Sequence, residues 1–155
     1  MVTYKDTADI KEKLAGELDW ADCVVAGPGL SKSDTAKEIV AEMIAYQPKR
    51  EKRLPVLLDA DALNIIAENR KLLSGIAENE GSSKQYVYTP HMGEAARLSG
   101  KSIAQLKETS CESAKELAQK LCGVCVLKDA ATVVSDGSRI YINTSGNSGM
   151  STAGA

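Results

Sequence analysis

Hydrophobic residues along this chain follow two patterns that alternate with each other. Ile10, Leu14 and Leu18 recur at helical spacing among charged residues, which predicts a surface helix over residues 7–18. Short apolar runs, typical of buried strands, follow at residues 23–26, 56–58, 86–88 and 124–127. Further helical segments are predicted from Ser33 or Asp34 to just before Pro48, and at residues 62–68, 94–98, 102–106 and 110–121. This alternation indicates an α/β fold with a mainly parallel sheet.

The last two apolar runs are arranged differently. Asp136-Gly137 separates Val133-Val134 from the apolar residues 140–142. Asp-Gly between two such runs is a strong signal for a β-hairpin, because both residues accept the backbone angles of a tight turn. We therefore expect the sheet to become antiparallel at this edge.

The composition narrows the class of protein without identifying it. The 155 residues are 43% hydrophobic and 26% charged, which is ordinary for a globular domain with a real core. A net charge of −2, with five tyrosines, one tryptophan and no phenylalanine, argues against nucleic acid as the main partner. The first residues are too polar for a secretory signal and no apolar run is long enough to span a bilayer, so no membrane partner is predicted and the expected compartment is the cytoplasm.

Four cysteines fit a reducing compartment as small, mostly buried residues: Cys23, Cys111, Cys122 and Cys125. Cys122 and Cys125 form a C-x-x-C motif, for which zinc binding and redox chemistry have to be weighed. A zinc site needs a second ligand pair, and a thioredoxin-like motif lies where a strand passes into a helix, whereas here the predicted helix comes first. We therefore expect a structural role for this pair.

Two predicted strands end in residues suited to ligand binding. The turn Gly-Pro-Gly at residues 27–29 ends the first strand abruptly, and parallel sheets place their ligands at such turns. No third glycine follows at the spacing of a dinucleotide fingerprint, so a plain strand-to-helix turn is an equally good interpretation. After the second strand come Asp59, Asp61 and Asn64, whose oxygens could hold Mg²⁺ through water or accept substrate hydroxyls. The two aspartates could equally be N-caps of the next helix.

The third strand end carries the chain's only histidine. Thr89 is predicted to be the N-cap of a helix, with Pro90 at the first helical position. His91 would then lie in the first turn, where a neutral ring could donate or accept a hydrogen bond toward a ligand in the same crevice. A lone histidine is more often structural, but three successive strand ends with polar groups favour the functional interpretation as much, so both stay open.

The fourth strand end and the final stretch are suited to phosphate. Lys128 and Thr132 bracket the start of the predicted hairpin, and lysine is a compact charge that suits phosphate, although most lysines at strand ends are only solvated. Residues 143–155, NTSGNSGMSTAGA, hold Gly146, Gly149 and Gly154 among small polar residues. Such a backbone can turn its N–H groups inward to bind an anion, and it is equally typical of a flexible tail.

Taken together, these motifs resemble one family. GPGL at residues 27–30, LLDADALN at 57–64, TPHMGEAARL at 89–98, LKDAAT at 127–132 and the final glycine-rich stretch occur in the order seen in the ADP- or ATP-dependent NAD(P)H-hydrate dehydratases. The resemblance runs from about Asp22 to Ala155, and TPH-x-GE and GN-x-GM are its specific parts. It implies a ribokinase-like α/β fold, with helices flanking a mainly parallel sheet and an antiparallel hairpin at one edge. Residues 1–155 would form a single partial domain of this kind.

The resemblance also implies the chemistry. The family's substrate is NADH or NADPH that has added water to its nicotinamide ring; the enzyme phosphorylates the ring hydroxyl, and phosphate then leaves to restore the cofactor. Gly27, Gly29 and His91 would contact the hydrated dinucleotide, and Asp61 and Asn64 are expected to accept its hydroxyls. The residues expected around the adenine nucleotide and its phosphates are Lys128, Asp129, Ala130, Ala131, Thr132, Asn147 and Gly149. Mg²⁺ with ADP or ATP is the implied cofactor set, and a homo-oligomer, a tetramer, is the implied assembly.

The chain departs from the family pattern in three respects. Ser31 stands where the family's loop GPGLG ends in glycine, and Asp129 stands where its loop KGAAT has glycine. A carboxylate beside a phosphate site is unfavourable unless it points away. The family's catalytic base is an aspartate expected beyond Ala155, and the family's first strand is also missing. We therefore expect a fragment that is inactive alone, and we assign no catalytic residue and no metal ligand.

Other functions share some of these features. A small-molecule kinase of the hydroxymethylpyrimidine or hydroxyethylthiazole type would have the same fold but would keep a phosphorylated product. A truncated domain could also bind a dinucleotide without turning it over. A hydrolase built on residues 149–153 is disfavoured, because its histidine should follow the serine whereas the chain's only histidine precedes it.

Overall fold

Helices and strands alternate along the chain, as the apolar pattern predicts. The computed structural model describes residues 7–46, 54–78 and 85–145. The helices are α1 (Thr7–Trp20), α2 (Asp34–Tyr46), α3 (Ala60–Glu68), α4 (Arg70–Glu78), α5 (Met92–Ser99), α6 (Ile103–Glu108) and α7 (Ser110–Lys120). The strands are β1 (Val24–Ala26), β2 (Val56–Leu58), β3 (Tyr86–Tyr88), β4 (Val124–Leu127), β5 (Thr132–Ser135) and β6 (Ile140–Asn143). None of the helices in these ranges has the length and apolar character needed to cross a membrane.

All six strands form one sheet in which the spatial order equals the chain order. The strands β1 to β4 pair in parallel, and β5 and β6 pair antiparallel at one edge. The turn at Asp136-Gly137 connects β5 to β6, and Gly137 has a φ of 86°, which the hairpin turn uses. The predicted sheet and its antiparallel edge are therefore confirmed.

The helices pack on one face of this sheet. Buried residues of all seven helices, among them Leu18 of α1, Leu63 of α3 and Leu106 of α6, join a single core. The strand residues that face this core are Val56, Leu58, Tyr86, Tyr88, Cys125, Leu127 and Val133. Crossovers between parallel strands are right-handed in nearly all proteins, and strands added in one direction place every crossover on the same side. Each fully buried leucine contributes roughly 1.5–3 kcal/mol to this packing.

The other face of the sheet has no helix over it in the described part of the chain. Most residues that point to this second face are apolar: Val25, Leu57, Val87, Val124, Val126, Val134 and Tyr141. They lie outside the core, and Val25 and Tyr141 are each 64% exposed. The paired residues Thr132 and Asn143 also lie on this face. Parallel sheets normally have both faces covered. The described residues thus form two layers, one of helices and one of strands.

One helix was not predicted from the sequence. α4 follows α3 after the single residue Asn69, whose φ of −122° and ψ of 87° end α3. The Asn69 side chain accepts a hydrogen bond from Lys71 N at 3.3 Å, a contact of the kind that starts helices. Leu72, Leu73 and Ile76 pack toward the core at helical spacing. The apolar signal was therefore present, and the short break at Asn69 obscured it.

Candidate functional site

The candidate site lies where β1 to β4 end. Because these strands are parallel, their carboxyl ends share one edge of the sheet. Backbone hydrogen bonds continue across this edge: Asp59 N donates to Ala26 O at 3.1 Å, Thr89 N to Leu58 O at 3.1 Å, and Lys128 N to Pro90 O at 2.8 Å. These bonds fix the backbone of the loop residues just beyond each strand.

A glycine brings the loop after β1 against the loop after β2. Gly27 has a φ of 129°, and a Cβ atom at this position would lie 1.7 Å from Asp59 O. No side chain fits in that space, so the close approach of the two loops depends on Gly27. Gly29 also has a positive φ, 70°, but a Cβ atom there would meet no atom of the described residues within 4 Å. The first glycine has a packing role, and the second leaves open space beside the turn.

Asp61 holds the loop after β1. Its Oδ2 accepts a hydrogen bond from Ser31 N at 2.8 Å. α3 begins at Ala60, and Asp59 occupies the N-cap position without making a side-chain capping hydrogen bond. The interpretation of the two aspartates as helix caps therefore holds only for the position of Asp59, since Asp61 lies in the first turn of α3. Both carboxylates accept hydrogen bonds from other loops, Asp61 from Ser31 N and Asp59 from Lys128 Nζ. The role of Asp61 in substrate binding stays a prediction.

Asn64, one turn further along α3, contacts the helix that follows β3. Its Oδ1 accepts a hydrogen bond from Arg97 Nε at 2.8 Å. Arg97 lies in the last turn of α5. Asn64 thus connects the elements after β2 and β3, and its predicted contact with substrate hydroxyls would come from a side chain that is already held in place.

His91 is the N-cap residue of α5. It forms an isolated parallel bridge with Lys128, and α5 begins only at Met92. The prediction of Thr89 as the N-cap and Pro90 as the first helical residue is wrong, because pairing with β4 keeps this segment in the sheet for two more residues. His91 consequently stands just before the helix instead of inside its first turn.

His91 and Glu94 form a reciprocal capping box. Nδ1 of His91 accepts a hydrogen bond from Gly93 N at 2.9 Å, and a carboxylate oxygen of Glu94 accepts one from His91 N at 2.9 Å. The other carboxylate oxygen lies 3.3 Å from His91 Nε2. Since Nδ1 is an acceptor here, we place the ring proton on Nε2. Glu94 is only 4% exposed, whereas the His91 side chain is 55% exposed. The buried Glu94 therefore holds the ring, and the rest of the ring is accessible to solvent.

Lys128 reaches across the end of β3 to Asp59. Lys128 Nζ donates a hydrogen bond to Asp59 Oδ1 at 2.9 Å. Partial burial acts to raise the pKa of the Asp59 carboxyl, but hydrogen bonds from Lys128, Thr89 and the Ala60 backbone, together with the charge of Lys128, hold that pKa below its usual value. Thr89 Oγ1 is buried and has no hydrogen-bond partner among the described residues. We therefore attribute the lowered pKa of Asp59 chiefly to Lys128.

Asp129 in the loop after β4 has a cation nearby on another element. Its Oδ1 lies 3.8 Å from Lys107 Nζ in α6, a long and weak ion pair. Among the described residues, Ser31, Ala60 and Cys122 are the non-glycine residues with positive φ, so Asp129 does not occupy a conformation that needs glycine. The other described residues of this predicted nucleotide loop are the exposed Ala130, the half-buried Ala131 and Thr132, which opens β5.

Two predicted nucleotide-binding residues, Asn147 and Gly149, lie outside the described residues. The same holds for the GN-x-GM motif and for the anion site predicted from it. Their roles stay predictions.

The C-x-x-C pair has a structural place. Cys125 in β4 is fully buried, and burial raises the pKa of its thiol to about 12, so that the thiol stays protonated at neutral pH. Cys122 lies in the turn before β4, and its Sγ is 3.6 Å from Gln119 O. Within the described residues, no three side chains of His, Cys, Asp or Glu are grouped to bind a metal ion. The structural role of the pair stays a prediction. The expectation of mostly buried cysteines is wrong, because Cys125 is buried, Cys111 and Cys122 are half-buried and Cys23 is exposed.

The sequence analysis missed two partnerships in this site. The His91–Glu94 capping box could have been found, because a cap residue followed three positions later by glutamate is its usual spacing. The contact between Asp59 and Lys128 joins residues that are 69 positions apart, so no local signal could have shown it.

This arrangement of sheet, helices and polar edge is a ribokinase-like fold. A ribokinase-like superfamily protein of Enterococcus faecalis superposes with a TM-score of 0.71 at 25% identity, covering 96% of this chain and 47% of that protein. An ADP/ATP-dependent NAD(P)H-hydrate dehydratase of Bacillus subtilis, co-crystallised with ATP and Mg²⁺, superposes with a TM-score of 0.63 at 26% identity, covering 86% of this chain and 42% of that protein.

The sequence comparisons define the family more closely. The family model for NAD(P)H-hydrate dehydratase matches residues 1–155, so the chain belongs to this family. The bifunctional NAD(P)H-hydrate repair enzyme Nnr of Escherichia coli is 40% identical over 144 residues, which are 92% of this chain and 25% of that protein. The resemblance based on the five motifs is confirmed. The chain spans a quarter of the E. coli protein and less than half of either structure.

Proposed function

We propose that this chain is part of a domain that repairs NADH and NADPH by removing the water added to the nicotinamide ring. The proposal is supported by membership of the family and by one observation of the structure. That observation is the meeting of the GPGL turn at residues 27–30, the open face of His91 and the ammonium group of Lys128 at one edge of the sheet.

The reaction has two steps, a phosphoryl transfer and an elimination of phosphate. The ring hydroxyl oxygen attacks the terminal phosphorus of ADP or ATP, its proton passes to a base, and the nucleotide leaves one phosphate shorter. The C–O bond of the phosphorylated ring then breaks, phosphate leaves with the bonding electron pair, and loss of a ring proton restores the double bond. Phosphorylation makes this elimination possible, because phosphate is a far better leaving group than hydroxide.

The described residues would act by binding and orientation. Gly27 and Gly29 would let the dinucleotide approach the backbone, and His91 would contact it from the fixed ring. Lys128 would meet the phosphate oxygens, on which charge is spread during phosphoryl transfer. Asp61 and Asn64 would receive the hydroxyl groups of the substrate.

Magnesium fits this edge of the sheet as an ion that arrives with the nucleotide. Mg²⁺ usually keeps several waters and is held by the substrate phosphates and one or two carboxylates. Asp59 is already paired with Lys128, so Asp61, whose Oδ2 also accepts a hydrogen bond from Ser31 N, is the carboxylate that would help to hold such an ion. When bound, the ion would neutralise charge on the phosphates.

The deciding experiment follows the near-ultraviolet absorbance that hydrated NADH lacks and NADH has. Hydrated NADH is mixed with Mg²⁺ and either ADP or ATP, using this chain and a version extended to the length of its relatives. We expect absorbance to return with the extended protein and not with the 155-residue chain. Recovery without nucleotide would contradict the phosphorylation step. Phosphorylation of a small alcohol, with no recovery of absorbance, would assign the chain to the kinase alternative.

A substitution of His91 tests the substrate site separately. His91→Asn keeps an acceptor suited to the N-cap position but removes the imidazole ring. We expect the extended protein with this change to unfold at nearly the same temperature and to show a higher KM for hydrated NADH. An unchanged KM would remove His91 from the substrate site.

The compartment, the oligomeric state and the partners of the whole protein are also part of this proposal. We infer that it works in the cytoplasm as a homo-oligomer, a tetramer, without nucleic-acid or membrane partners; the family resemblance supports the tetramer and the composition supports the rest. Light scattering of the extended protein tests the assembly, and a monomeric mass would contradict it.

A further inference from the structure

We propose that Asp59 is a positioning residue for Lys128, and that it holds the lysine ammonium group where a phosphate oxygen of the adenine nucleotide would bind. The inference rests on the proposed function, since it takes that nucleotide as the ligand. Asp59 itself would not bind the nucleotide and would act through Lys128.

The backbone of both partners is fixed by the sheet. Asp59 N donates to Ala26 O at 3.1 Å, and the Asp59 carbonyl lies so close to Gly27 that only glycine fits there. Lys128 N donates to Pro90 O at 2.8 Å. The distance between the two main chains is therefore set by β3, which lies between β2 and β4.

The main chain at Lys128 is fixed, but the side chain of Lys128 can adopt many conformations. A lysine has four flexible methylene groups, and ordering them costs conformational free energy. The Asp59 carboxylate orders this chain before any ligand arrives, by the hydrogen bond of 2.9 Å from Nζ to Oδ1. The ammonium group has three N–H donors, so two are left to bind phosphate oxygens while one stays on Asp59.

The end of β3 supports the carboxylate from below. Leu58 and Tyr88 are in register, so Thr89 is the neighbour of Asp59 across the sheet. The Thr89 hydroxyl is buried beside this position and has no hydrogen-bond partner among the described residues. The ion pair of Asp59 and Lys128 thus lies beside the buried hydroxyl of Thr89, at the carboxyl end of β3.

The first test needs no ligand. Side-chain ¹⁵N relaxation of the lysine ammonium groups is measured in the unaltered chain, in Asp59→Asn and in the control Asp34→Asn. The control removes an aspartate that also lies 2.9 Å from a lysine, Lys37, but at an exposed site on α2. We expect Asp59→Asn to lower the order of Lys128 to the level of an exposed lysine, and Asp34→Asn to leave Lys128 unchanged. Unchanged order of Lys128 in Asp59→Asn would overturn the inference.

The second test measures ADP binding by calorimetry in the extended protein. We expect Asp59→Asn to weaken binding about tenfold, the effect of a lost charge-assisted contact. In a Lys128→Met background the same change should have no further effect, because Asp59 would act only through Lys128. Thermal unfolding of each variant is recorded alongside, and a merely structural role would lower stability without this coupling.

The remaining outcomes each decide a separate question. Tighter ADP binding by Asp59→Asn would overturn the inference, since Asp59 would then compete with phosphate for Lys128. An equal loss of ADP affinity on Asp59→Asn with Lys128 present and with Lys128→Met would also overturn the inference. If the unaltered extended protein binds no ADP, the proposed function fails, and the relaxation data alone decide whether Asp59 fixes Lys128.

Discussion

The loops after β1 and β4 each lack a glycine that the family pattern has, and the structure treats the two replacements differently. Ser31, in the first loop, has a φ of 66°, in the left-handed region that disfavours side chains. Asp129, in the second loop, has no such conformation and lies 3.8 Å from Lys107. Glycine would therefore relieve the backbone at Ser31, whereas at Asp129 its main effect would be to remove a charge.

Replacing a glycine therefore has different physical effects in the two loops: a strained backbone at Ser31 and an added charge at Asp129. In the first loop the left-handed residue follows a turn that is already held by Leu30 N donating to Gly27 O at 3.0 Å and by Ser31 N donating to Asp61. The surrounding contacts keep the strained residue in place. The second loop has no such requirement, so its side chain affects only the local electrostatics.

The largest effect on the free energy of unfolding is expected from Gly27→Ala, which forces the loop after β1 out of its conformation. The added methyl group would stand 1.7 Å from Asp59 O, so the backbone of one loop must move. We expect a loss of about 4 kcal/mol or more in the free energy of unfolding, measured by urea denaturation. The control Gly29→Ala also has a positive φ but no atom in its way, and about 1 kcal/mol is expected there. Similar losses in the two variants would mean that the contact with Asp59 is not what requires Gly27.

A smaller effect of opposite sign is expected from Ser31→Gly. Relief of the left-handed conformation should raise the free energy of unfolding by about 1 kcal/mol. Ser31→Ala is the matched control, because it removes the hydroxyl but keeps the strained backbone, and it should bring no gain. A gain in both variants would show that the hydroxyl, and not the conformation, is unfavourable.

The smallest effect on stability is expected from Asp129→Gly. Glycine adds freedom to the unfolded chain and is not needed for the fold here, so the free energy of unfolding should fall by about 0.5 kcal/mol. If the loop binds the nucleotide, loss of the carboxylate should tighten ADP binding about threefold in the extended protein. Asp129→Asn separates the two effects, since it removes the charge and keeps the backbone preference. Stabilisation by Asp129→Gly would contradict the difference drawn between the loops.

The parts of the fold that depend on local pattern were predictable from the sequence. The strands after residue 23 were predicted from short apolar runs, and the edge hairpin was predicted from Asp136-Gly137. The start of α5 was predicted two residues too early, because nothing near Pro90 shows that the chain pairs with Lys128, just beyond β4. A boundary set by a distant strand is not encoded in the segment itself.

The same distinction holds for the candidate site. The glycine turn, Asp61, Asn64, His91 and Lys128 were predicted as site residues from their places after predicted strands, and they lie along the end of the sheet where those strands stop. Their roles in binding stay predictions. What the sequence could not show is which side chains touch. Asp61 binds the backbone of the first loop, because β1 and β2 are neighbours, and Asp59 pairs with Lys128 across the end of β3.

Because the spatial order of the strands equals their order in the chain, it also affects the order of folding. Paired residues of the parallel strands are separated along the chain by 32 positions for Val24 and Val56, by 30 for Val56 and Tyr86, and by 37 for Val87 and Val124. Each new strand therefore closes a loop of similar length, at a similar entropic cost, onto the strand made before it. Assembly can advance in the direction of synthesis, one strand and its helices at a time, without waiting for a distant segment to emerge.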